Sequence, residues 1–476
     1  MKALRKTKIV GTIGPASENK LEELFIAGLN VCRINYSHGS WDEQSEKSET
    51  IMRLREEMDL PIPMLLDMKG PEIRTGMLYT GKNTKIELKD GQKFTLVNED
   101  IIGNEEKVSV TYKELYKDVE PGTKILIDDG AIELKVDEIV GKDIVTTVVH
   151  GNGLGSRKTM NLPGTVIRLP GLAEKDYADL KTACEHDYDF VAISFARNAE
   201  DINNVRKFLD ENGGKDIQIV TKVENVEGLE NLDTIIDLAD AQMIARGDMA
   251  TETDFTEPPV VQKRIIKRCN DEHKPAITAT QMLESMTHQP LPTRAEVSDV
   301  ANAIYDRTSA IMLSGECAQG DYPVECVQTM VKIANRIEPE IDYWKRFDEK
   351  MPQLNSYEEK ANYSACVSAR IIKADAIVCY THTGDTARNL SGFGAGCPIL
   401  AITDNKRTFR QLALAWNVTP IYVEAKENID KTIEAGIQKL QDKEILEKGD
   451  MVVITGGGQM LPDDKQSKTI GGVLKI

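Results

Sequence analysis

No two of the eight cysteines, Cys32, Cys184, Cys269, Cys317, Cys326, Cys366, Cys379 and Cys397, form a C-x-x-C pair, and most lie in apolar runs. That excludes a disulfide framework and a cysteine-based zinc site, and it predicts reduced thiols in a cytosolic protein. Nor does any apolar stretch reach the roughly 18 residues that a membrane span needs. The segment Met1–Ser17 carries Lys and Arg before a short apolar run, but Gly11 and Gly14 break that run and no cleavage pattern follows. It reads as a first core strand rather than a targeting segment. An excess of positive charge is also missing. The 59 Lys and Arg are outnumbered by 77 Asp and Glu, a net charge of −18, which argues against nucleic acid or an anionic membrane as the main partner. There is no Walker A pattern, no internal repeat, no low-complexity tract and no nucleophile–base triad. Gly151-Asn152-Gly153-Leu154-Gly155 is glycine-rich, but a strand precedes it and no helical pattern follows, so it reads as a hairpin turn.

What the chain does have is an ordinary globular balance, 41% hydrophobic and 29% charged over 476 residues, enough for two to four domains. Strand-length apolar runs alternate with amphipathic helical segments. The runs are Lys8–Thr12, Val31–Asn35, Pro61–Asp67, Phe190–Ser194, Ile217–Val223, Gln242–Ala245, Ala276–Ala279 and Ala310–Leu313. This βαβα pattern predicts a closed (β/α)8 barrel of the TIM type. Between the third and fourth runs the chemistry changes. Ile86–Leu88, Lys93–Val97, Lys124–Ile127, Ile132–Val136 and Ile144–Val148 read as short strands separated by turns such as Asp129-Gly130. The expected organisation is a catalytic barrel from 1–70 and 167–340, an inserted small β-barrel lid at 71–166, and a C-terminal α/β domain at 341–476.

Barrel enzymes carry their chemistry at the C-terminal ends of the strands. Polar residues collect there: Arg33 to Gly39 after the second strand, Asp67 after the third, Lys222 to Asn225 after the fifth and Arg246 to Asp248 after the sixth. Thr280-Gln281 follows the seventh and Ser314 to Glu316 the eighth. Residues two apart on a strand share a side, which pairs Lys222 with Glu224 and Arg33 with Asn35. Glu224 and Asp248, from neighbouring strands, suit one hard cation that keeps positions for substrate and water. Lys222 and Arg33 beside it suit a transferring phosphoryl group, a chemistry dominated by positioning and charge stabilisation.

The segments KIVGTIGPAS (8–17), NVCRINYSHG (30–39), LDMKGPEIRTG (66–76), NLPG (161–164), KVENVEGLENLD (222–233), ARGD (245–248), ATQMLESM (279–286) and PTRAEVSDVANAIYD (292–306) make this sequence resemble the pyruvate kinase family over nearly its whole length. The resemblance implies transfer of a phosphoryl group from phosphoenolpyruvate to ADP, giving pyruvate and ATP, in a cytoplasmic homotetramer that needs Mg²⁺ (or Mn²⁺) and K⁺. It implies Glu224 and Asp248 as Mg²⁺ ligands, and Asn35, Ser37, Asp67 and the backbone carbonyl of Met68 as K⁺ ligands. Glu72 stands where potassium-dependent members carry Glu. Lys222, Arg33 and Cys317 take catalytic roles, and the amides of Gly247 and Asp248 hold the substrate carboxylate. Asn35, His38, Arg74 and Lys175 contact nucleotide. Thr381, Thr383, Gly384 and Thr386 form an effector-phosphate loop, in which Asp385 stands where many members carry Lys or Arg.

This chain also departs from the family pattern. Met68 replaces a usual Thr, Ala250 a glycine beside a substrate-binding turn, and Arg307 and Ser309 a Gly and an Asp. Cys317 replaces the Thr of the Ser-Gly-Glu-Thr motif, and two readings are open: a thiol that only fills the Thr space while a water carries the proton, or one that slows turnover and is reactive towards alkylating agents. Two other readings follow from the sequence: a degenerate paralogue that binds ligand with little turnover, and another Mg²⁺-dependent barrel enzyme acting on enolates. The β insertion and the Arg-x-Asn-x-Ser segment disfavour the last.

Overall fold

The computed structural model describes residues 4–37, 39–81, 84–254, 256–457 and 469–476. Strands β1 (Lys8–Thr12), β2 (Val31–Asn35) and β3 (Met64–Asp67) open a closed parallel barrel. It is completed by β13 (Phe190–Ile193), β14 (Gln218–Lys222), β15 (Ala241–Ala245), β16 (Ala276–Ala279) and β17 (Ala310–Leu313), in the order β1-β17-β16-β15-β14-β13-β3-β2. Parallel strands covered on both faces need apolar residues at nearly every position, which is why these runs stood out in the sequence. One alternation, including Val10, Val31, Leu65, Phe190, Val220, Met243, Ile277 and Met312, fills the barrel interior. The other, including Ile9, Ile34, Leu66, Val191, Ile244 and Ile311, packs against the surrounding helices.

Between β3 and β13 lie β4 (Ile73–Arg74), β5 (Ile86–Glu87), β6 (Lys93–Val97), β7 (Lys107–Ser109), β8 (Lys124–Ile127), β9 (Ile132–Val140), β10 (Asp143–His150), β11 (Gly153–Leu154) and β12 (Thr159–Asn161). Seven of them form one sheet, ordered β4-β12-β8-β9-β10-β6-β7. A bridge between Thr75 and Val110 ties its two edges, so the sheet curls towards a barrel. The glycine-rich stretch expected to be a hairpin turn instead contains β11, which pairs with β5. A Cβ on Gly151 would stand 2.1 Å from the Leu88 carbonyl oxygen, a close backbone approach that requires glycine.

The C-terminal sheet is β18 (Ala376–Tyr380), β19 (Ile399–Thr403), β20 (Val418–Tyr422), β21 (Met451–Gly457) and β22 (Thr469–Lys475), ordered β20-β19-β18-β21-β22 with only β22 antiparallel. It is joined to the barrel by both apolar and charged contacts. Leu414, from the turn Leu412–Leu414, belongs to the cluster that fills the barrel interior. The Lys8 ammonium donates to the Val418 carbonyl at 2.6 Å. Arg307 adopts φ +67, a left-handed conformation that costs roughly 1–2 kcal/mol for a residue with a Cβ. Its guanidinium donates to the Gly392 carbonyl at 2.6 Å and lies over the Trp416 ring. Among the described residues no helix is long and apolar enough to cross a membrane.

The strongest tie is ionic. Asp189, fully buried, accepts from Arg410 at 2.8 Å, and Asp187 accepts from Arg55, Arg407 and Arg410 at 2.6–3.1 Å. Burial pushes the Asp189 carboxyl up, and Arg410 and Arg55 oppose that. Removing one partner of a buried ion pair leaves the other charge uncompensated. Asp189→Ala is therefore expected to lower unfolding stability by about 3–5 kcal/mol in urea titrations. A loss below about 1 kcal/mol would show that water or a neighbouring carboxylate takes over its charge.

Candidate active site

At the C-terminal mouth of the barrel the Lys222 ammonium is buried 3.2 Å from Asp67 and 3.4 Å from Glu224. Burial works against its charge, but the carboxylates of Asp67, Glu224 and Asp248 outweigh burial and raise its pKa. Arg33 closes the far side of Asp67, donating to it at 2.7 Å and to the Thr12 hydroxyl at 2.7 Å. With two cations beside it, the Asp67 carboxyl is held low despite burial. Glu224 is pushed up by burial and by the charge of Asp248, with Lys222 opposing. One Glu224 oxygen accepts the Phe195 amide at 2.8 Å, which Phe195 presents from a left-handed φ of +54.

Register explains the assembly. Arg33 on β2 pairs with Thr12 on β1 and Leu65 on β3, and Asn35 pairs with Asp67. Parallel strands in this register deliver Arg33, Asn35, Asp67 and Lys222 to the same end of the barrel. Asp248 follows in the first turn of the helix Arg246–Glu252, exposed at the mouth. Asn35 accepts the Ser37 amide at 3.0 Å through its side-chain oxygen, and the Met68 carbonyl accepts the Ser194 hydroxyl at 2.6 Å. Above the mouth, the lid contributes Glu72, Arg74 and Asp129. A cavity of about 230 Å³ between lid and barrel is lined by Glu72, Asp129, Asn161, Asp248 and Glu252 among others.

Two buried carboxylate oxygens, Asp67 Oδ1 and Glu224 Oε1, face the Lys222 ammonium at 3.2 and 3.4 Å and have no other polar partner. Such oxygens are costly to bury unless a cation faces them, and Lys222 supplies that charge here. An oxygen-only donor set of this kind fits hard cations.

This geometry bears on several of the expected site residues. Cys317 is fully buried, its sulfur 3.3 Å from where a Cβ of Gly11 would stand. Burial pushes its thiol up to about 12, with Ser17 opposing, so it is a neutral packed thiol rather than an alkylation-prone one. The Ala250 substitution carries no strain, because Ala250 lies inside the helix Arg246–Glu252 and not at positive φ. The Gly247 amide is not free in this state, since it donates to the Thr280 hydroxyl at 2.9 Å. Arg74 pairs with Glu72 at 2.7 Å, and Lys175 pairs with Asp179 at 2.8 Å. His38 lies outside the described residues.

Thr280 is the residue that sequence reasoning passed over as a mere strand end. It sits at φ +64, unusual for a β-branched side chain, and its hydroxyl faces the turn that carries Asp248. Nothing in the sequence signals that conformation. At the far end of the chain, the loop Thr381–Thr386 satisfies itself. Thr381 accepts the Gly384 amide at 2.9 Å, Asp385 accepts the Thr383 hydroxyl at 2.7 Å, and Arg388 donates to Asp385 at 2.7 Å and to the Thr383 carbonyl at 2.9 Å. Thr386 is buried in the helix that follows.

Comparison with known proteins agrees with this arrangement. Residues 4–327 match the profile described as pyruvate kinase, barrel domain, and residues 359–468 the profile described as pyruvate kinase, alpha/beta domain. The chain is 44% identical to the pyruvate kinase of Clostridium acetobutylicum, covering 95% of this chain and 96% of that protein. It is likewise 44% identical to the pyruvate kinase of Clostridium perfringens, covering 97% and 100%. A crystal structure of a pyruvate kinase from Cryptosporidium parvum superposes with a TM-score of 0.91 at 35% identity, covering 98% of this chain and 96% of that one. With its barrel, its C-terminal α/β domain and nearly its full length matched, the chain belongs to the pyruvate kinase family.

Proposed function

We propose that the buried group Lys222, Asp67, Glu224 and Arg33, together with Asp248, carries the transfer of a phosphoryl group from phosphoenolpyruvate to ADP. One observation supports this most directly: a charged lysine held at a barrel mouth between the buried carboxylates of Asp67 and Glu224, with Asp248 exposed beside them. The family needs Mg²⁺ and K⁺. Glu224 and Asp248 are the residues for Mg²⁺ (or Mn²⁺), and Asn35, Ser37, Asp67 and the Met68 carbonyl those for K⁺. Bound there, the cations neutralise phosphate charge. Lys222 and Arg33 then orient the phosphoryl group and stabilise the charge that builds between donor and acceptor oxygens. The amides of Gly247 and Asp248 receive the substrate carboxylate once Thr280 releases Gly247, in the manner of helix N-terminal anion sites. Arg74, Lys175, Asn35 and His38 are assigned to nucleotide. The degenerate reading gains no support from the relatives, and each of the charged residues on which the chemistry rests is present. We carry over the homotetramer and the cytoplasmic location from the family.

Lys222→Met is expected to lower kcat by about 10²–10³ in a lactate-dehydrogenase-coupled assay. Exchange of pyruvate methyl protons with solvent should persist, because that half-reaction moves no phosphoryl charge past the ammonium. Near-normal phosphoryl transfer in this variant would remove Lys222 from its assigned role. The potassium assignment has its own check. Replacing K⁺ by tetramethylammonium should reduce turnover sharply, whereas full activity without any monovalent metal ion contradicts it.

The effector loop is read from its own hydrogen bonds. Asp385 places a carboxylate at the helix start where a phosphate would sit, and Arg388 is already engaged by it. A sugar bisphosphate therefore meets repulsion and a spent arginine. Fructose 1,6-bisphosphate is expected to shift the phosphoenolpyruvate saturation curve by less than about twofold, below the usual range of allosteric coupling. A sugar monophosphate or no effector at all is the matching expectation, and strong activation by micromolar bisphosphate would contradict it.

A further inference from the structure

The helix Arg246–Glu252 begins with the turn assigned to cation and substrate and ends at the lid. Its start is pinned to the barrel: Arg246 donates to Asp299 at 2.7 Å and to the Thr280 carbonyl at 2.7 Å. Its last residue, Glu252, lies four positions after Asp248 and so on the same face, one turn along. The half-buried Glu252 carboxylate accepts from the Asn161 side-chain amide at 2.7 Å and from the Leu162 backbone amide. Asn161 and Leu162 are both buried and stand where β12 brings the chain back from the lid to the barrel. Burial raises the Glu252 carboxyl and the charge of Asp248 adds to that, while the two donors oppose the rise.

The lid also brings Asp129 towards Asp248. Burial and the charge of Asp248 push the Asp129 carboxyl up. Asp129 and Asp248 line the same cavity, so lid and helix meet there, and the contact between Glu252 and Asn161 is placed to hold the two together.

We infer that Glu252 is a positioning residue that ties the lid's returning strand to the helix bearing Asp248, so that lid closure and cation binding move as one unit. This rests on the proposed function above, and it adds a residue to which that function gives no role.

The experiment is amide hydrogen exchange at residues 159–162 on the full-length enzyme, without metal and with Mn²⁺ alone, combined with steady-state kinetics. In Glu252→Ala, metal-free exchange at these amides should speed up about tenfold or more, the effect of losing hydrogen bonds to a charged group. Because the lid carries Arg74, KM for ADP should rise about tenfold while kcat stays within about threefold. Mn²⁺ should slow exchange at 159–162 in the parent but not in Glu252→Ala, although it binds both. Asn161→Ala removes only the lid's side-chain donor and should act in the same direction. It also serves if Glu252→Ala does not fold. Glu252→Gln, which keeps an acceptor, should recover part of the ADP affinity. Unchanged exchange in both Ala variants, or a lowered Tm with KM for ADP unmoved, would overturn the inference. If Mn²⁺ fails to bind the parent, the cation assignment falls, and the latch is still decided by the metal-free exchange.

Discussion

Lys222 keeps its proton in a place where an isolated ammonium would lose it. Taking such a charge out of water costs several kcal/mol, and the cost is met here by Asp67 and Glu224 at 3.2 and 3.4 Å. The neighbouring geometry serves this contact. Arg33 fixes Asp67 from the opposite side and is itself held by Thr12. Phe195 adopts a left-handed backbone to aim its amide at Glu224. Ser194 anchors the Met68 carbonyl beside it. Four strands and the loops that follow β3, β13 and β14 are therefore set by the demands of one buried charge and its two counter-charges. The oxygens that face Lys222, Asp67 Oδ1 and Glu224 Oε1, have no other polar partner, so the ammonium alone balances them.

Charge is organised differently over the molecule as a whole. A chain with a net charge of −18 repels polyphosphates at long range. Screening shortens that repulsion to about 10 Å at moderate salt, so a few buried cations at the barrel mouth decide what enters. The effector loop inverts this logic. There, an acidic residue takes up the arginine, and the anion-binding geometry of a helix start is left with an internal tenant.

The barrel was legible because buried parallel strands are apolar at every position. The runs Lys8–Thr12, Val31–Asn35, Ala276–Ala279 and Ala310–Leu313 coincide with the observed strands. Strands such as Ile73–Arg74, Lys107–Ser109 and Thr159–Asn161 escaped notice because two or three residues carry no periodicity, and their pairing is decided by tertiary closure. The polar residues at strand ends were legible as a group, since the register of a barrel brings them to one rim. What could not be read was burial and backbone sign at that rim. Cys317 allowed two readings from its motif, a reactive thiol or a filler of the Thr space, and its full burial favours the filler. Ala250 looked strained, yet it is helical. Thr280 looked ordinary, yet it holds a left-handed turn. Each depends on atoms supplied by distant segments.

Leu414 adds a constraint of another kind. It reaches from the C-terminal sheet into the interior of the barrel, where it joins residues such as Val10, Val31 and Met312. A barrel lacking that side chain has an unfilled floor, and a cavity of this type costs roughly 2–5 kcal/mol per missing leucine. The two units are therefore not interchangeable modules. An exchange of the C-terminal unit between relatives has to keep an apolar residue of matching reach at this turn as well as the arginines that meet Asp187 and Asp189.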